Sequence, residues 1–319
     1  MLGYVINMLT DDPFNDVPVL GALDVRSAAS YLAQVGEGEI ATQLEEAQAE
    51  QSRQSRQGSR SGIRWPFSNK PWQYTSHAFG YIRSGALDRE APIVSAGTIS
   101  ADDSLRNAAI DITLDRLRVA DYPGGSTHHV LLDFYAQNRA DDRSEHLHYN
   151  MFLRALEGQE AAVIGYPIFV RLNVGGSGVG LRCLTVNVKN ESDEKFLSFL
   201  GSDVFRTGLH LATAVQPALV PFSEMVLALT KAIAQRNRNV PVQEFFLGLD
   251  FSEVPTRARL AEGSYVIVQV PDGLVRVWDW DEWIYDGRSG HIVSRQDSRD
   301  LIPFNYVVIG VSRARRPDE

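Results

Sequence analysis

Apolar and polar residues alternate most sharply between residues 127 and 154, where two successive segments each read as a half-buried β-strand. Val130, Leu132 and Phe134 fall on one face of the resulting hairpin, beside Leu147, Tyr149, Met151 and Leu153. His129, Asp133 and Tyr135 fall on the other, beside His146, His148 and Asn150, with Leu131 and Phe152 as its apolar exceptions. Pairing Ala136 with Glu145 sets Tyr135 opposite His146 and Asp133 opposite His148, at Cβ separations of about 4.5–5.5 Å.

The same reading extends along the chain. Val25, Ala28, Ala29 and Leu32 recur at helical spacing, Gly36 and Gly38 interrupt, and Ile40, Leu44 and Ala47 resume the pattern more weakly. Residues 51–62 are rich in Gln, Ser and Arg, with Arg53, Arg56 and Arg60, and read as a solvated helix end running into a flexible linker. After Pro66, strands are expected at Tyr74–Ile82, Pro92–Ile99, Ala108–Val119, Thr127–Ala136, Glu145–Ala155, Pro167–Val174 and Leu181–Lys189. A helical stretch follows over about 192–238, and its clearest helix, Ser223–Arg236, places Met225, Leu229, Ala232 and Ile233 on one stripe. Strands return at Val242–Phe251, Gly263–Val270, Val275–Trp280, Trp283–Tyr285, His291–Ser294 and Pro303–Val311.

Strands that follow one another without intervening helices imply antiparallel sheets. The expected architecture is a mainly β protein, an antiparallel β-sandwich of C2-like or jelly-roll-like form. A helical N-terminal region and polar linker occupy 1–62, and the sandwich occupies 63–319 with a helical insertion at about 192–238.

Composition narrows the setting. A formal charge of -9 over 319 residues leaves no surplus of Lys and Arg for neutralising phosphates, so nucleic acid is not an expected partner. The single cysteine, Cys183, excludes an internal disulfide and suits a reducing compartment. No apolar run reaches the roughly 18 residues of a membrane span. The short apolar stretch in Met1–Thr10 has no positive charge before it, unlike a signal peptide. The expected location is the cytoplasm, without membrane attachment.

Three segments carry candidate chemistry. On the hairpin face, His146, His148 and Asp133 could ligate one divalent metal or perform general acid and base work. The same residue types also make up ordinary solvent-facing sheet surfaces. Glu145-His-Leu-His148 resembles the paired-histidine strand of cupin metal sites, although Phe152 and Leu153 stand where a cupin glutamate is expected. The glycine-rich Gly175–Gly180 lies between strand-like flanks with no Lys-Ser or Lys-Thr after it, and so reads as a hairpin loop, not a phosphate cradle.

The third segment is Val277-Trp-Asp-Trp-Asp-Glu-Trp283. It resembles the carboxylate loop of C2 domains, and the resemblance implies Asp279, Asp281 and a later Asp286 as Ca²⁺ ligands. Trp278 and Trp280 share a strand face by period two and form either core or a contact patch. Gly-x-Ser-x-Gly, His-Glu-x-x-His and the kinase loop signatures do not occur.

The expected function is therefore a non-enzymatic binding or assembly module presenting a sheet surface or loops to a protein partner. The alternatives are a metal-dependent hydrolase using the His/Asp face, or a C2-like, Ca²⁺-responsive peripheral membrane module.

Overall fold

Strands form largely where the alternation places them, and they assemble into three sheets. The computed structural model describes residues 13–55, 70–86, 90–140, 143–161, 163–200, 219–254 and 257–315. Helices α1 (Val25–Gln34) and α2 (Gly38–Ser55) come first, followed by strands β1 (Ser76–Arg83), β2 (Glu90–Pro92), β3 (Val94–Ser95) and β4 (Ala109–Val119). Next are β5 (Thr127–Ala140), β6 (Arg143–Leu156), β7 (Gln159–Glu160), β8 (Tyr166–Asn173) and β9 (Gly178–Val188). Helices α3 (Glu191–Leu200) and α4 (Leu219–Ala234) separate these from β10 (Asn239–Asp250), β11 (Ala258–Arg259), β12 (Gly263–Val270), β13 (Trp283–Asp286), β14 (His291–Ser294) and β15 (Tyr306–Arg313).

The large sheet has the order β3-β1-β12-β15-β4-β7, with β8 also on β4. The second has the order β11-β10-β9-β5-β6, and the third β14-β13-β2. Among the described residues every pairing is antiparallel except the short contact of β10 with β11.

The two larger sheets face each other across the main core. Ile112, Leu114, Tyr265, Ile267, Val307 and Ile309 of the large sheet share one buried cluster with Val130, Leu132, Phe134, Leu181, Cys183 and Phe245 of the five-stranded sheet. Each such side chain contributes about 1.5–3 kcal/mol by leaving water. The outer side of the large sheet buries Val266, Val268, Tyr306 and Val308 against Tyr285 and Ile292 of the small sheet. The far side of the five-stranded sheet buries Leu131, Tyr135, Leu184 and Val186 against Phe14, Val17, Ile233 and Ala234. Because β9 and β12 are covered on both faces, every residue in them is buried.

Several expectations change. The hairpin register is Ala136 to Leu147, not Ala136 to Glu145, because pairing continues to Ala140 and Arg143. That shift of two residues keeps the parity of every side chain, so the two faces are as expected. The segment Val275–Trp280 is not a strand: Leu274 N–H bonds the Pro271 carbonyl and Val277 N–H the Leu274 carbonyl, so the backbone closes successive turns. Gly175–Gly180 is not a hairpin loop, since β8 pairs in the large sheet and β9 in the five-stranded one.

Helix α4 forms, but its buried stripe is rotated. Thr230, Ile233 and Ala234 are buried, Leu229 is half-buried and Ala232 is exposed, because a threonine meets the polar Asn150 below it. The Met225 side chain lies outside the described residues. Helix α2 runs on to Ser55, so the polar stretch expected from Gln51 begins as helix, and its remainder, 56–62, lies outside the described residues.

Candidate functional site

The hairpin's polar face is an internal joint, which corrects the expectation of a solvent-facing surface. Asp133 and His148 share that face, with His148 Nδ1 3.0 Å from Asp133 Oδ1 and side-chain exposures of 5% and 0%. Tyr135, directly opposite His148, packs its ring 4.8 Å from the imidazole, and Phe14 meets the same ring edge-on at 6.2 Å. Asn150 donates to the Thr230 hydroxyl at 3.0 Å and to the Val226 carbonyl at 3.4 Å, which fastens α4 over the face. Burial pushes the Asp133 carboxyl above its ordinary range, opposed by the His148 contact.

The expected metal triad is only partly brought together. In register His146 lies opposite Gln137, two pairs along from Tyr135 and His148, and its side chain lies outside the described residues. His129 is drawn elsewhere: it stacks on Phe152 and lies 3.4 Å from Glu194 of α3. Among the described residues no group of three or more His, Cys, Asp or Glu side chains is arranged to hold a metal ion.

Two of the three acidic residues of the C2-like segment, Asp279 and Asp286, serve their own turns, and Asp281 takes part through its backbone N–H. Asp279 accepts from the Asp281 N–H at 2.8 Å and caps the short helical turn Trp280–Glu282. Asp286 accepts from the Arg288 N–H at 3.0 Å and from the Ser289 hydroxyl at 2.7 Å. Trp280 is core, whereas Trp278 and Trp283 are half-buried beside it.

A cluster that sequence reasoning missed lies on the outer face of the large sheet. The β4–β15 register slips between Val308 and Ile309, leaving Asp115 unpaired, so Asp115 and Arg116 both emerge on the outer face. Asp115 accepts from the hydroxyls of Thr113 at 2.7 Å and Ser264 at 2.8 Å. Gly310 makes room: a Cβ there would stand 2.4 Å from the Thr113 hydroxyl and 2.7 Å from Asp115. Burial raises the Asp115 carboxyl, and these hydroxyls and Arg116 oppose the shift.

Arg116 reaches Glu160 at 3.4 Å and donates to the Tyr285 hydroxyl at 3.2 Å. Glu160 also accepts from Tyr306 and lies 3.1 Å from His291 Nδ1, which ties β7 to the small sheet. The sequence does hold a signal for the bulge. Apolar residues occupy even positions through Leu114 and odd positions from Leu117, and only an inserted residue lets both sets face the same core. No local signal could have joined Glu160, His291 and Tyr306.

A second missed feature is a polar tract inside the main core. Tyr122 meets the Thr185 hydroxyl at 3.0 Å and accepts from Gln243 at 2.8 Å, while Asn187 donates to the Pro123 carbonyl at 2.7 Å. His128, fully buried beside Tyr122, has neither ring nitrogen hydrogen-bonded, and its Nε2 lies 4.0 Å from Glu157. Burial holds His128 and His77 down to about 4, with Lys189 adding to the effect at His128.

No protein-family model, no curated protein and no solved structure matches this chain. Among the described residues no helix is long and apolar enough to cross a membrane.

Proposed function

We propose that the chain is a non-enzymatic binding or assembly module of the cytoplasm that presents a loop to a protein partner. The observation that carries this reading is the apolar cap formed by residues 274–277. Leu274, Val275 and Val277 are 40%, 38% and 70% exposed. Behind them Trp278 stacks on Trp283 at 6.2 Å and meets Trp280 and Phe304 edge-on at 5.6 and 5.7 Å. Aliphatic residues exposed over an aromatic base, with charges around them, have the anatomy of a protein-binding patch.

The neighbouring sequence adds Asp272, Asp279, Asp281 and Glu282 against Arg276, an acidic excess that favours a partner with a basic rim. The hairpin face offers no comparable surface, because α4 and Phe14 cover it. The buried thiol of Cys183 fits a reducing compartment.

The test is site-specific photo-cross-linking in cells with a benzophenone side chain at Val275, and a control at the exposed Val170. The reading expects a covalent adduct of one discrete protein from position 275 and none from 170. Absence of any adduct from 275 rejects it.

A further inference from the structure

The bulged Asp115 borders an open cleft of about 410 Å³ on the outer face of the large sheet, lined also by Thr113, Ser264, Gly310 and Ser312. That size falls in the range of small-molecule sites. Ser264, Gly310 and Thr113 lie side by side on β12, β15 and β4. Because Gly310 has no side chain, the Asp115 carboxylate lies close above it and takes a hydroxyl from each flank, Thr113 at 2.7 Å and Ser264 at 2.8 Å. A hydroxyl has one proton, and both of these spend it on the carboxylate. The row of oxygens therefore presents lone pairs alone, around a carboxylate that is 8% exposed.

The charge on this face is negative. Asp111 pairs with Ser312, shares the face of Thr113 by parity, and meets the neutral backbone N–H of Arg171. Arg116 turns its guanidinium to Glu160, the Tyr285 hydroxyl and the Asp115 backbone carbonyl. Arg83 also borders the cleft, but its side chain leaves β1 on the face of Tyr81, opposite to Ser264.

We propose that this cleft binds an aliphatic primary ammonium group, of a small amine or of a lysyl side chain, with Asp115, Thr113 and Ser264 as its acceptors. An ammonium ion carries three N–H donors and no acceptor, the complement of oxygens that offer only lone pairs. Its charge makes the bond to Asp115 the stronger, charge-assisted kind. A neutral alcohol lacks that charge and brings lone pairs of its own. A Ca²⁺ ion takes about six to eight oxygens, more than the carboxylate and two hydroxyls supply. The cleft lies at the Gly263 end of β12, whereas the loop at 274–277 follows the Val270 end, so the two sites are separate.

The experiment is isothermal titration calorimetry of the full chain in neutral phosphate buffer with n-butylamine and with Nα-acetyl-L-lysine methylamide. Tetramethylammonium, a cation without N–H donors, and n-butanol, a donor without charge, are the controls. Saturable binding of butylamine is expected, with both controls weaker by at least about tenfold. A lysine derivative that binds at least as tightly as butylamine assigns the site to a protein lysine, and one that binds more weakly assigns it to a small amine. Asp115→Asn should weaken butylamine by at least about tenfold. Ser312→Phe, at the exposed rim, should block binding while keeping the wild-type melting temperature, and so separates loss of the site from loss of the fold. Three results would overturn the proposal: no saturable heat with either amine up to about 10 mM, either control binding as tightly as butylamine, or affinity unchanged in Asp115→Asn or Ser312→Phe.

Discussion

His148 and Asp133 face each other at 3.0 Å beneath α4, on a diagonal of the β5–β6 ladder, with Tyr135 directly opposite the imidazole. A polar pair enclosed in this way serves the joint between sheet and helix. Removing one partner breaks a buried charged contact, at a cost of about 3–5 kcal/mol. Asp133→Ala and His148→Ala are each expected to lose stability of that order in urea titrations, and the double variant less than their sum, because both single variants already lose the same contact. A loss under about 0.5 kcal/mol, the scale of an exposed position, would contradict the buried joint.

Parity made the two hairpin faces legible, because side chains two apart share a face whatever the register. Parity alone does not say what covers each face. Leu131 and Phe152, apolar residues on the polar side, were the local sign of a lid: Leu131 packs in the cluster that Phe14 and Ile233 complete. The covering helix lies far along the chain, so nothing near residue 131 could name it. The Asp115–Arg116 bulge was written in the phase slip between Leu114 and Leu117, whereas Glu160 and His291 meet only because β7 and the small sheet converge on Arg116.

His77 and His128 impose an acid limit on the fold. Burial holds both rings down to about 4 from an ordinary value of 6.5. The unfolded chain takes up protons below pH 6.5 while the folded chain does not, so stability falls as pH falls. The loss is about 1.4 kcal/mol per unit per histidine, or about 3 kcal/mol each once pH 4 is reached. Unfolding free energies at pH 7 and pH 5 should show the decline, and His128→Gln should flatten it. An equally steep decline in that variant would remove His128 from the account.

Gly178 is the tightest backbone position at the crossing from the large sheet to β9. Its φ is +112°, and a Cβ would stand 2.1 Å from the Leu249 carbonyl oxygen. Gly178→Ala is expected to cost more than about 2 kcal/mol, since it adds overpacking against backbone to an unfavourable φ. A melting temperature within about a degree of wild type would show that β9 and β10 are not held in this register.

The apolar loop at 274–277 is the proposed partner site, whereas the hairpin face is an internal joint. The yield of the Val275 photo-adduct, measured in Val277→Lys and in His148→Gln, separates the two most directly. Val277→Lys should keep the wild-type melting temperature and lose the adduct; His148→Gln should lower the melting temperature and retain the adduct per folded molecule. The opposite pattern, with the adduct kept in Val277→Lys and lost in folded His148→Gln, would contradict the account.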